Sequence, residues 1–458
     1  MRSLGIRVVV FLALAAPAAP AALGPLRVSD ANPRYFATPD GRVVYLTGSH
    51  TWNNLVDMGT TDPPPQFDYA AYLDFMERRR HNFMRMWAWD LTKWDTERNG
   101  QKEVHTVAPQ PWARTGPGTA LDGKPKFNLE QFDPPYFERL RTRVAAAGDR
   151  GIYVSIMLFE GWGMQFVKDA WKSHPLHPGN NVNGIGGDIK EGVRIHELAS
   201  KPVLAVQEAY VRKVIDTVND LDNVLYEISN ENHPPSTDWQ YHIIRLIHDY
   251  EKTKPKQHPV GMTFQYQGGS NETLFESPAE WVSPNPGPKD AYRNDPPAAA
   301  GRKVILTDTD HLWGLGGNQA WVWKSFARGM NPLFMDPYEG KVLGGKPEPK
   351  WDPVRNSLGY TLALARRIDL ARITPRNELA STQYCLANPG AEYVVYNPSE
   401  DNAAFEVNLE AGAYQVEWIN PDDGKTVATG DVEAKGGPTR FEAPFKGDAV
   451  LHLKRAAR

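Results

Sequence analysis

Residues 221–233 read Leu-Asp-Asn-Val-Leu-Tyr-Glu-Ile-Ser-Asn-Glu-Asn-His, an apolar strand run that hands Asn230 and Glu231, side by side, to a polar turn. A carboxyl placed there can give a proton to a leaving oxygen, and the amide beside it can hydrogen-bond a substrate hydroxyl. The dipeptide alone also fits a solvated turn, so the reading depends on a second acid. Val304–Thr307 form a buried-strand pattern that ends in two, Asp308 and Asp310. Carboxyls roughly 5 Å apart across a glycosidic bond give hydrolysis with retention, whereas a wider gap admits water and gives inversion. Asp308 and Asp310 share a strand parity, so alternation does not choose between them. Asp308 is preferred slightly because the apolar run stops there. The alternative that both only orient partners stays open.

Other residues fit the same chemistry. His50, in Thr47-Gly-Ser-His-Thr-Trp-Asn-Asn54, could bind a hydroxyl or orient a carboxylate, with Asn54 close behind it. An arginine inside an apolar strand, as Arg85 is, is usually tied to a buried acid, which here could be Asp308. Glu227 shares the parity of Glu231 but lies deeper, as an interior carboxylate paired with a neighbour would. His233, His311 and Trp313 are further candidate sugar contacts. Trp52, Trp87, Trp89, Trp162, Trp313, Trp321 and Trp323 fall mostly just beyond expected strand ends, where aromatic faces can pack on the C–H faces of sugar rings. A core position is the alternative for each. Asn181, within Asn180-Asn181-Val182-Asn183-Gly184, could bind hydroxyls or serve as a turn former.

Apolar runs alternate with helical periods along the chain, which predicts a (β/α)8 barrel whose C-terminal mouth gathers these side chains. The expected strands are Val43–Gly48, Phe83–Trp87, Ile152–Leu158, Val224–Ser229, Val260–Phe264, Trp281–Ser283, Val304–Thr307 and Leu333–Met335. Expected helices include Phe67–Arg80, Tyr136–Ala147, Pro202–Leu221 and one after Ser236 with Trp239, Ile243, Leu246, Ile247 and Tyr250 on a single face. Long segments at Asp90–Asp133, Glu160–Ser200 and Asp336–Trp351 read as walls of a pocket. After Arg372, short alternating segments between Asn-Pro, Asp-Asp-Gly and Gly-Gly turns predict an antiparallel β-sandwich that braces the barrel or binds carbohydrate. The expected division is 1–22, 23–375 and 376–458.

Arg2 and Arg7 precede an apolar run, Val8–Ala16, and then small residues and prolines through Ala22. This is the pattern of a secretory signal, with cleavage expected between Ala18 and Ala22, so the protein is expected outside the cytoplasm or in the periplasm. The one cysteine, Cys385, excludes an intramolecular disulfide and reads as a buried small hydrophobe. A net charge of −4 and the lack of a basic stripe argue against a nucleic-acid partner, and no later segment reaches membrane-spanning length. Arg78-Arg79-Arg80 reads as a solvated helix end.

Leu26–Phe36, Leu46–Asn54, Glu227-Ile-Ser-Asn-Glu-Asn-His233, Asp308-Thr-Asp-His311 and Asn331-Pro-Leu-Phe-Met-Asp-Pro337 together resemble bacterial glycoside hydrolases of the apiosidase-like barrel type, related to the large clan of retaining (β/α)8 glycosidases. The resemblance implies Glu231 as acid/base, Arg85 steadying the nucleophile, and a nucleophile at the end of the seventh strand. There the clan carries Glu and this chain carries Asp, one methylene shorter. Such proteins often have a C-terminal sandwich labelled collagen-binding, although nothing in residues 380–458 indicates collagen. A carbohydrate substrate follows, with no cofactor or metal expected. Two other classes remain: a metal-dependent hydrolase using Asp308, Asp310, His311, His50 and His233, and a carbohydrate-binding barrel without activity. The first is disfavoured because the first strand offers only one histidine, and the second because acids stand at both strand ends.

Overall fold

The computed structural model describes residues 24–100, 102–338, 349–399, 401 and 403–456. The signal pattern of residues 1–22 and most of the expected Asp336–Trp351 loop lie outside the described residues.

Eight parallel strands form a nearly closed barrel: β1 Gly48–His50, β2 Phe83–Met86, β3 Tyr153–Glu160, β4 Val224–Asn230, β5 Val260–Thr263, β6 Trp281–Ser283, β7 Val304–Asp308 and β8 Asn331–Met335. Successive strands from β2 to β8 pair in order, and β8 pairs with β1. Asn82 closes the remaining gap. Its N–H donates to the Thr47 carbonyl (3.0 Å), its carboxamide oxygen accepts from Thr47 N–H (2.9 Å) and its carboxamide nitrogen donates to Tyr45 O (2.9 Å). Every residue of β4 is buried, as a strand covered on both faces must be.

Amphipathic helices cover the outside. They are α1 Tyr69–Arg78, α2 Pro134–Gly148, α3 Lys201–Val218, α4 Thr237–Glu251, α6 Gln319–Ala327 and α7 Asp352–Ala365, whereas the five-residue α5 Thr309–Trp313 is a mostly buried turn of helix at the mouth. The start of α3 is set locally: Ser200 caps it by accepting from Val203 N–H, and Pro202 occupies the first turn, where its missing N–H costs nothing. Its buried face, Val203, Gln207, Tyr210, Val211, Val214, Ile215 and Val218, follows the helical period.

The first expected strand is displaced. Val43–Val44 pair antiparallel with Phe36–Ala37 in a small sheet outside the barrel, and the barrel strand is the polar Gly48–His50. Hydrophobicity pointed to the wrong half of the segment because β1 buries polar side chains that serve the mouth. The segment after β2 is folded: Val104–Ala108 and Lys93–Asp95 join Asp57–Gly59, from the segment after β1, in a three-stranded antiparallel sheet, and Trp112–Thr119 pairs with Pro125–Phe132. The segment after β3 carries short helices at Gly161–Phe166 and Ala170–Ser173.

The C-terminal part is a six-stranded antiparallel sheet against a two-stranded one, Phe405–Leu409 with Gly437–Phe441. It shares a core with the barrel, in which Trp323 of α6 stacks on Tyr396 with ring centroids 6.3 Å apart. Trp321 and Trp323 are therefore helix residues facing cores, not mouth aromatics. Cys385 is buried. Among the described residues no helix is long and apolar enough to cross a membrane.

Candidate active site

Arg85 organises the mouth. The arginine lies in the buried strand β2, and its guanidinium donates to Glu227 through Nε and Nη2 (2.8 and 2.6 Å), to Asn230 Oδ1 (2.7 Å), and through Nη1 to Asp308 Oδ2 and Asp310 Oδ2 (3.0 and 2.9 Å). One cation thus faces acids from β4 and from the end of β7. Glu227 is the deep partner that strand parity implied.

Asp308 and Asp310 are separated by local structure. The chain leaves β7 at Asp308 and turns at once into α5, with Asp308 Oδ1 capping that helix by accepting from Asp310 N–H (3.0 Å). Its other oxygen meets Arg85 and lies 2.8 Å from His50 Nε2. Asp308 is fully buried and its oxygens are committed within the protein. Asp310, in the first turn of α5, lines the open cleft. The sequence preference for Asp308 therefore does not match the exposure of the two acids.

His50 is fixed from both sides. Trp87 Nε1, which can only donate, binds His50 Nδ1 at 2.9 Å, so the ring proton sits on Nε2, toward Asp308. His311 faces Ser283 Oγ (2.7 Å) and Asn230 Oδ1 (3.3 Å). Burial, with Arg85 near, holds it well below the usual histidine range, as a neutral ring.

Glu231 follows β4 in the left-handed region (φ 43°), which is uncommon for a residue other than glycine, and it lines the cleft. Burial raises its carboxyl well above the usual range, and the charges of Asp310 and Glu160 add to the effect. Burial likewise raises Asp310, against the opposing pull of Arg85. Asp308 goes the other way, because His50 and Arg85 outweigh its burial and hold it ionised.

Glu160, at the end of β3, was taken in the sequence only as the start of a loop. Register pairs it with Asn230 on β4, and its Oε1 accepts from Asn230 Nδ2 at 3.1 Å while Oε2 accepts from Gly163 N–H. A Cβ at Gly163 would lie 2.6 Å from that oxygen, so glycine permits the contact. Burial pushes Glu160 up to about 8. The signal that could have found it is a β3 run extending two residues past Leu158.

The cleft has a volume of about 490 Å³. Trp52, Trp87, Trp89, Trp162 and Trp313 line it as expected positions, joined by Trp94 and Tyr266 and, at its walls, Arg98 and Arg293. Asn230 and His311 line it too, His50 and Arg85 are buried and do not, and three further expected contacts are engaged elsewhere. Asn54 braces β2, donating to Arg85 O (2.7 Å) and accepting from Trp87 N–H (2.9 Å). Asn181 spends its side-chain amide on the carbonyls of Pro175, His177 and Ile185, as a turn former does. His233 is turned to Asn232 and Glu197. Among the described residues, no group of three or more His, Cys, Asp or Glu is arranged to hold a metal ion.

A family described as a domain of unknown function, DUF6298, matches residues 72–267. No curated protein matches the chain in sequence. The fold is similar to that of a glycoside hydrolase family 5 structure from Bacteroides vulgatus ATCC 8482, with TM-score 0.61 and 13% identity over 95% of this chain and 94% of that one. A second structure from the same organism, assigned provisionally as a glycoside hydrolase, gives TM-score 0.61 and 12% identity over 96% and 84%.

Proposed function

We propose that the protein is an exported glycoside hydrolase that cleaves O-glycosidic bonds of an oligosaccharide or polysaccharide with retention. The observation that carries this reading is the presence of Glu231 and Asp310 in one tryptophan-walled cleft at the barrel mouth, with Arg85 behind Asp310. Five carboxyls, those of Glu160, Glu227, Glu231, Asp308 and Asp310, share the surroundings of a single buried guanidinium, so not all can ionise together. Glu231 keeps its proton and gives it to the leaving oxygen as the C–O bond breaks. Ionised Asp310, steadied by Arg85, attacks the anomeric carbon from the other side and forms a glycosyl ester. Glu231, now a carboxylate, then takes a proton from water, whose oxygen displaces Asp310. Asp308 holds Arg85 and His50 and caps the helix that presents Asp310. The fold likeness to glycoside hydrolases and the Arg2–Ala22 pattern support the class and the export.

The test is chemical rescue. Asp310→Ala should abolish turnover of aryl glycosides, and azide should restore it and give a glycosyl azide of inverted configuration. Asp308→Ala should be equally slow and gain nothing from azide. Rescue of Asp308→Ala instead would move the nucleophile back into the strand. Direct inversion by the wild type, seen by proton NMR of the first product, would make Asp310 a base that activates water.

A further inference from the structure

The two cations at the cleft walls have no task in the hydrolysis itself. Arg98, in the segment after β2, is exposed and lies over the Phe166 ring, its guanidinium carbon 5.1 Å from the ring centre. No carboxylate pairs with it among the described residues. Arg293, in the segment after β6, lies over Trp313 at 5.8 Å. Its Nε donates to the Leu312 carbonyl, and among the described residues the one carboxylate that pairs with it is Asp290, 3.3 Å from Nη1, an acid that is half exposed and therefore a weak partner. A guanidinium held over an aromatic ring still has N–H donors to offer, a fork matched to a two-oxygen anion. Apart from these two arginines, the carboxyls of Glu160, Glu231 and Asp310 line the cleft, beside the neutral groups of Asn230 and His311.

We infer that the cleft takes an acidic glycan whose carboxylate or sulfate-ester groups are received by Arg98 and Arg293. The inference rests on the glycosidase reading of the same cleft and names its substrate class. Ionised Asp310 disfavours a further anion on the sugar being cleaved, so the charge belongs on neighbouring sugars that stack against the walls. Trp94 and Trp162 line one such wall, their rings 6.4 Å apart, with the Phe166 ring packed 5.6 Å from Trp162. Trp313 provides another.

Binding can be measured without turnover on the Glu231→Gln protein by titration calorimetry. Suitable ligands are galacturonate oligosaccharides with their methyl-esterified counterparts, and sulfated galactan oligosaccharides with their desulfated counterparts. At least one acidic ligand should bind about tenfold more tightly than its neutral partner at low salt, with the margin shrinking as ionic strength rises. Preference within the first pair identifies carboxylate, and within the second sulfate. Arg98→Gln and Arg293→Gln should each remove most of the preference and leave neutral binding unchanged. The inference is overturned if no acidic ligand binds, if neutral partners bind equally well, or if the arginine changes weaken both alike. Arginine-dependent binding of a ligand that the wild type fails to hydrolyse would sink the glycosidase reading and leave this one standing.

Discussion

At the residue scale, the acids of the mouth trade stability for chemistry. Glu160 is protonated in the fold at pH values where the unfolded chain has already lost that proton, because its carboxyl is raised from the ordinary 4.5 to about 8. The folded state therefore binds the extra proton between those limits, and stability falls as pH rises through that window. Glu160→Gln removes the titrating group while keeping an acceptor for one partner. The variant should melt a few degrees above wild type at pH 8 and close to it at pH 4, while activity drops because Asn230 is no longer held by a carboxyl. Equal melting curves at both pH values would mean that Glu160 is not buried as an acid. The same burial shapes catalysis. The acid limb of the pH profile should follow ionisation of Asp310 and the basic limb the loss of the Glu231 proton. Glu231→Ala should cost on the order of 10²–10⁴ in rate on poor leaving groups and far less on activated aryl glycosides. Equal losses on both would remove it from the acid role.

At the element scale, the candidate site was legible where a strand carried it. Val224–Asn230 and Val304–Asp308 are apolar runs that stop at or beside acids, and Arg85 stands out as a charge inside a third run, so β2, β4 and β7 announced the ends that meet at the mouth. The choice between Asp308 and Asp310 was not legible, because parity holds only within a strand and the chain becomes helical at Thr309. Glu160 was hidden because its contacts come from register with β4, and the cleft arginines because nothing in their own neighbourhoods marks them. Register also sets a packing limit. Gly261 on β5 pairs with Trp281 on β6, and a Cβ at Gly261 would lie 1.8 Å from the buried indole. Gly261→Ala should destabilise by about 1–3 kcal/mol through overpacking, read as a lower denaturation midpoint with an unchanged denaturant slope. An unchanged midpoint would show that the indole moves aside without cost.

At the scale of the whole molecule, the sandwich is bound to the barrel by a shared core and by a charged clasp. Trp323, Phe326 and Leu362 of the barrel helices join Leu386, Val394, Tyr396 and Val450 of the sandwich in one apolar cluster. Beside it, Arg367 donates to both oxygens of Glu417 (3.0 and 2.8 Å), and Glu392 accepts from Asp369 N–H (2.8 Å). Between these two acids sits His452, 2.9 Å from Glu392 and 3.1 Å from Glu417. Although burial opposes it, the paired carboxylates raise the histidine above its ordinary 6.5, and Glu417 is lowered to about 2 by its partners despite burial. A raised histidine contributes its stability below the unfolded value of 6.5 and loses it as pH climbs through the folded value. A lowered glutamate contributes above 4.5 and loses it as pH falls toward about 2. The clasp is therefore strongest between about 4.5 and 6.5. His452→Gln should lower the melting temperature most near pH 6, and by progressively less as pH rises and the wild-type histidine loses its proton. Trp323→Ala should cost about 3–5 kcal/mol at any of these pH values and still give one transition, because barrel and sandwich share the core it leaves. Two separate transitions, with the barrel melting as before, would show that the sandwich is an appendage and not a brace.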